Sequence, residues 1–159
     1  MNNLGDLDAV VNTSSLSSFI ITDTIDLVRH CLRRVYVPEA VAKELRLSPY
    51  ALPQGLQIRR LQAAQKVEAR GLGFGPGENE AIVLARDLDL PLIMDEGDAR
   101  KAAKRFGLKV YGSLLLVRLA FESCLIQRQE YDRKIHEFEV NDRAFPEQVD
   151  WARTAQKTT

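Results

Sequence analysis

The chain reads as an α/β protein built on a mostly parallel sheet of about four to five strands, with helices on both faces. Two observations give the class. Short apolar runs alternate along the chain with segments whose apolar residues recur every three to four positions, and Pro91-Leu92-Ile93-Met94 is apolar throughout, as a strand buried on both faces must be. A third observation points at function: acids and amides gather directly after these runs, where the strands of such sheets open onto ligand sites.

Taken in order, Ala9-Val10-Val11 reads as a first strand that stops in the polar loop Asn12-Thr13-Ser14-Ser15. Asp23 or Thr24 is placed to cap a helix whose buried face runs through Ile25, Val28, Leu32 and Val35. Val35-Tyr36-Val37 is a second strand, and Pro38 suits the first position of a helix through Val41 to Leu45 that carries Glu44. From Ser48 to Gly77 prolines and glycines break the pattern, although Ala63 to Arg70 suits a helix. Gly75-Pro76-Gly77 launches a helix from Glu78 to about Leu88, with Ala81, Leu84, Ala85 and Leu88 on one face. The strand over Leu92 to Met94 then delivers Asp95. A basic helix spans Ala99 to Phe106 and a strand Leu108 to Tyr111; Ser113 caps an apolar helix through Leu125. Tyr131 to Phe138 and Pro146 to Gln156 close the chain as two helices, with Trp151 as a packing anchor.

At 159 residues, 45% hydrophobic and 28% charged, the sequence suits one globular domain over residues 1–159, with a core over about 9–126 and a C-terminal helical extension over about 127–156. Lys and Arg total 22 and so do Asp and Glu, so no net field draws in nucleic acid and any such binding rests on a local patch. Cys31 and Cys124 form no metal-binding spacing and read as reduced core thiols, which suits the cytoplasm. No apolar run approaches the roughly 18 residues of a membrane span.

Glu44, Glu80 and Asp95, with Asn12, are expected at one edge of the sheet. Ionised carboxylates that converge need a cation, and hard oxygen ligands favour Mg²⁺ or Mn²⁺, which activate water for phosphodiester cleavage without a His or Ser nucleophile. Spacing alone equally allows plainer roles: Glu78 and Glu80 against a helix dipole, Glu44 as a solvated acid, Ser14 and Ser15 as caps, and Glu96 and Asp98 as loop acids. Asp95, directly behind a buried strand, is the acid whose position argues most for function. Arg100, Lys101, Lys104 and Arg105, with Arg59 and Arg60, offer phosphate contacts or a solvated face. His30 and His136 have no partner at a diagnostic spacing.

Four stretches occurring in order carry a family resemblance: Val10-Val11-Asn12-Thr13-Ser14-Ser15-Leu16, Val37-Pro38-Glu39-Ala40-Val41-Ala42-Lys43-Glu44, Gly77-Glu78-Asn79-Glu80-Ala81-Ile82 and Leu92-Ile93-Met94-Asp95-Glu96. Over about Ala9 to Ile126 the chain resembles the PIN domain, in an uncharacterised branch related to VapC-like toxin ribonucleases. The resemblance implies a three-layer PIN-like fold and metal-dependent RNA hydrolysis, with Glu44, Glu80 and Asp95 holding Mg²⁺ or Mn²⁺, Asn12 and Ser14 orienting water or metal, and Glu78, Glu96 or Asp98 as auxiliaries. It also implies an RNA substrate, a small antitoxin as partner, and a homodimer. Asn12 stands where the family usually has its first acid; an amide brings no negative charge and cannot act as a base. A catalytically silent module that binds RNA or a protein partner is therefore the first alternative. A phosphoacceptor receiver domain, suggested by Asp95 and Lys109, lacks the acidic pair near its first strand.

Overall fold

The computed structural model describes residues 5–95 and 97–155. Five strands, β1 (Leu7–Val11), β2 (Leu32–Pro38), β3 (Gln57–Arg59), β4 (Leu92–Ile93) and β5 (Val110–Tyr111), lie in the order β3-β2-β1-β4-β5, and every neighbouring pair is parallel. This is the parallel α/β sheet of about four to five strands anticipated from the sequence. Helices α1 (Thr13–Ile21), α2 (Ile25–Cys31), α3 (Glu39–Arg46), α4 (Ala63–Arg70), α5 (Pro76–Leu88), α6 (Gly97–Arg105), α7 (Ser113–Glu122), α8 (Arg128–Val140) and α9 (Pro146–Arg153) cover it.

Alternate residues of each strand point to opposite faces of a sheet, and the core divides accordingly. Ala9, Val11, Val35, Val37 and Ile93 join α1, α2, α3, α7, α8 and α9 in one apolar cluster. Val10, Tyr36, Leu92, Met94 and Val110 join α4, α5 and α6 in the other. The C-terminal helices are part of the first cluster through Tyr131, Ile135, Phe138, Val149 and Ala152. Buried Lys134 of α8 also donates to the carbonyls of Thr22 (3.0 Å) and Asp23 at the α1–α2 turn.

Several expectations are corrected. Asn12 to Ser15 is no loop: Asn12 caps α1, which starts at once. The helix periodicity through Leu32 and Val35 breaks at Cys31, because Val35 and Tyr36 pair with β1 and Val37 with β3, which draws Leu32 and Arg33 into β2. Gln57–Arg59 is a strand that the Pro- and Gly-rich surroundings hid. Trp151 is no anchor; it is 42% exposed, with the Arg118 guanidinium 4.3 Å over its ring. Leu88 is exposed at the end of α5. Cys124 is exposed, whereas Cys31 is a core residue whose thiol burial pushes up to about 11. Among the described residues, no helix is long and apolar enough to cross a membrane.

Candidate functional site

The strand order turns at β1: β2 and β3 extend to one side, β4 and β5 to the other. Val11 and Ile93 are in register, so the carboxyl ends of β1 and β4 open side by side on the crevice where such sheets bind ligands. Asn12 and Asp95 stand at that crevice.

Asn12 is fully buried, and its Oδ1 accepts a hydrogen bond from Ser15 N at 3.0 Å. A backbone N–H only donates, so the atom facing it is the amide oxygen, and Nδ2 is left buried with no partner among the described residues. The first turn of α1 divides its hydroxyls between two acids. Thr13 Oγ1 donates to Glu44 Oε2, and Ser15 Oγ donates to Asp95 Oδ2 at 2.9 Å.

Asp95, half-buried, also accepts from Ser113 N on Oδ1 at 2.9 Å and from Ser113 Oγ on Oδ2. The cap of α7 is Gly112 rather than Ser113, whose side chain turns instead to the acid. Asp95 lines a cavity of about 360 Å³ with Ser14, Ser18 and the turn between α8 and α9.

Glu44 comes from α3, and its Oε1 accepts from Gly77 N at 2.9 Å, in the first turn of α5. Exposed N–H groups and the helix dipole favour a carboxylate there. A Cβ on Gly77 would fall 2.6 Å from Glu44 Oε2 and closer still to Thr13 Oγ1, so this approach of three elements requires glycine. Glu80 lines a cavity of about 320 Å³ with Glu44, Lys43 and Lys66. Its Oε1 is buried and has no partner among the described residues.

The acids thus form two groups, Glu44 with Glu80 and Asp95 with its three serine donors, joined by the first turn of α1. Among the described residues, no three His, Cys, Asp or Glu side chains form a group able to hold a metal ion. Glu78 accepts from Gly75 N at 3.1 Å and caps α5, and Asp98 is exposed. Glu96 lies outside the described residues. Arg100 is half-buried, and its Nη1 donates to the carbonyl of Met94 at 3.2 Å. Lys101 and Lys104 are exposed. Arg59 lies 5.1 Å over the Tyr36 ring and Arg60 stands 3.7 Å from Glu39.

The family profile described as "PIN domain" matches residues 8–149, nearly the whole chain. The chain belongs to the PIN domain family. A solved structure of a PilT N-terminus domain protein from the hyperthermophilic archaeon Sulfolobus solfataricus P2 superposes with a TM-score of 0.58 at 20% identity, over 73% of this chain and 95% of that one. At that identity the likeness supports the fold. No curated protein sequence matches.

In this PIN domain the residues that sequence reasoning missed are the ones that fix the acids. Gly77 is the last of the run Gly71, Gly73, Gly75 and Gly77 and carries no chemical signal of its own. Ser15 and Ser113 read as helix caps, and hydroxyls at helix starts do usually cap. The signal that existed was topological: each follows a strand, as Asp95 does.

Proposed function

We propose that this PIN domain is a divalent-metal-dependent ribonuclease in which Glu44, Glu80 and Asp95 form the acidic machinery at the β1–β4 crevice. The observation that carries the reading is Glu80 Oε1, a buried carboxylate oxygen with no partner among the described residues, in a cavity shared with Glu44. Leaving a buried charged acceptor unsatisfied costs roughly 1–3 kcal/mol or more, and a hard cation is the ligand that two neighbouring carboxylates recruit. Mg²⁺ or Mn²⁺ fits this donor set, since such ions commonly use one or two protein carboxylates and fill the remaining positions with water and substrate phosphate. Bound there, the ion supplies an activated water and charge stabilisation at the phosphate.

The chain's own residues do the positioning. Thr13 and Gly77 hold the Glu44 carboxylate, while Ser15 and Ser113 hold that of Asp95. Asn12 keeps its oxygen in the α1 cap and leaves Nδ2, a buried donor, so it suits an enclosed water better than a cation. Ser14 lines the Asp95 cavity and orients water there. Lys101 and Lys104 contribute a weaker, exposed field for RNA. By family membership we extend the proposal to a cytoplasmic, toxin-like component, working as a homodimer and masked by a small antitoxin.

A second reading follows from Asn12, which removes one negative charge from the crevice: a silent module that binds RNA or a protein. Cleavage of a mixed RNA pool with Mn²⁺, Mg²⁺ or chelator separates the two. The nuclease reading expects metal-dependent cutting by the wild type, lost in Asp95→Asn and increased in Asn12→Asp. Equal inertness of all three proteins supports the silent module.

A further inference from the structure

The Asp95 cavity is walled by a segment that lies beyond the four motifs quoted from the sequence. The turn between α8 and α9 supplies Arg143 and Phe145 to the lining, opposite Ser14, Ser18 and Asp95. Arg143 is half-buried, and its side chain has no hydrogen bond or ion pair with any described residue; it is also the one cation lining that cavity among them. Phe145 is 56% exposed beside it.

The turn is held at both ends. Arg143 N donates to Phe138 O at 2.8 Å and Asp142 takes a left-handed φ of 53°, closing α8; Phe145 N donates to Gln148 Oε1 at 2.8 Å, opening α9. Gln148 also lines the cavity. A guanidinium and an aromatic face are therefore presented together on a held turn, beside Asp95 and Asp142, whose carboxylates by themselves repel a polyanion. A guanidinium matches a phosphate's oxygens through paired N–H donors, and an exposed ring stacks an unpaired base.

We propose that this turn is the substrate-holding wall of the site, with Arg143 binding a backbone phosphate and Phe145 stacking an unpaired base of RNA. The inference rests on the ribonuclease reading for its substrate class. It makes the C-terminal helices part of substrate recognition, with Arg143 as the one cation of a lining that also carries Asp95 and Asp142.

The test is fluorescence anisotropy with a short unstructured fluorescein-labelled RNA and a duplex of the same sequence, both in chelator. Arg143→Ala is expected to weaken binding of the single strand roughly tenfold and to flatten the salt dependence by about one phosphate contact. Phe145→Ala is expected to cost about tenfold on the single strand and little on the duplex, with Phe145→Tyr retaining affinity. Arg143→Gln serves as a second charge-neutral variant, Arg70→Ala as the control for charge alone, and thermal melts check folding. Wild-type affinity in Arg143→Ala, Arg143→Gln and Phe145→Ala overturns the inference and assigns the exposed ring to a protein contact; absence of RNA binding by the wild type overturns it too. Metal-dependent cleavage with Arg143-independent binding defeats this inference alone. Arg143-dependent binding with no cleavage under any metal defeats the nuclease reading and leaves the wall in place.

Discussion

The two halves of the crevice hold their acids in opposite ways. Asp95 accepts from Ser15 Oγ, Ser113 Oγ and Ser113 N, so both its oxygens are satisfied within the protein. Glu80 is on the other side, next to a Glu44 that Thr13 and Gly77 hold, and it keeps a buried oxygen with no partner among the described residues. The first arrangement fixes a carboxylate in place, and the second leaves binding capacity unspent. A protein that tolerates an unsatisfied buried acceptor forgoes stability, which is the usual signature of a functional position rather than of packing.

Stability measurements on conservative variants sharpen that contrast first. In chelator, Asp95→Asn replaces charge-assisted hydrogen bonds with neutral ones and is expected to cost about 2–3 kcal/mol, whereas Glu80→Gln removes an unpaired charge and is expected to leave stability unchanged or slightly raised. Denaturant melts of the two variants read this directly. Equal losses in both would break the comparison.

Gly77→Ala tests the seam between the halves. The new methyl meets Glu44 Oε2 and Thr13 Oγ1, so the variant is expected to lose about 1–3 kcal/mol and to weaken activity with it. An unchanged melting curve together with unchanged cleavage would show that the Thr13–Glu44–Gly77 contact is dispensable.

The smallest effect is expected at an acid saturated by a cation instead. Asp8 pairs with Arg33 through bonds of 3.0 and 2.9 Å between β1 and β2. The Arg33 hydrogen bonds hold its carboxyl below the ordinary carboxylate value. A lowered folded value means the contribution is present above the unfolded value and is lost as pH falls through the folded one. Asp8→Asn should therefore lower stability slightly near neutrality and not at all once the pH is below that folded value, which urea melts across acid pH would show.

Much of this arrangement was legible in the sequence because it depends on local pattern. The Leu92-Ile93-Met94 run could only be a buried strand, which placed Asp95 at a strand end, and Gly75-Pro76-Gly77 marked the start of α5 and so placed Glu80. The remainder depends on contacts distant along the chain. Asn12 and Thr13 read as loop because a capped helix start and a polar turn share a composition, and only packing of Leu16 and Phe19 into the core decides between them. The division of the acids into two groups follows from which hydroxyl of α1 faces which neighbour, 31 positions away for Thr13 and 80 for Ser15. Arg143 and Phe145 gave no motif at all, since their meaning comes from α8 and α9 folding back against the Asp95 side of the sheet.

Calorimetric titration of Mn²⁺ into the wild type, Glu80→Gln and Asp95→Asn tests the central claim most directly, because it reads the empty acceptor without relying on turnover. The account predicts saturable binding by the wild type, its loss in Glu80→Gln, and a weaker residual response in Asp95→Asn. Undiminished binding by Glu80→Gln, or none by the wild type, would contradict it.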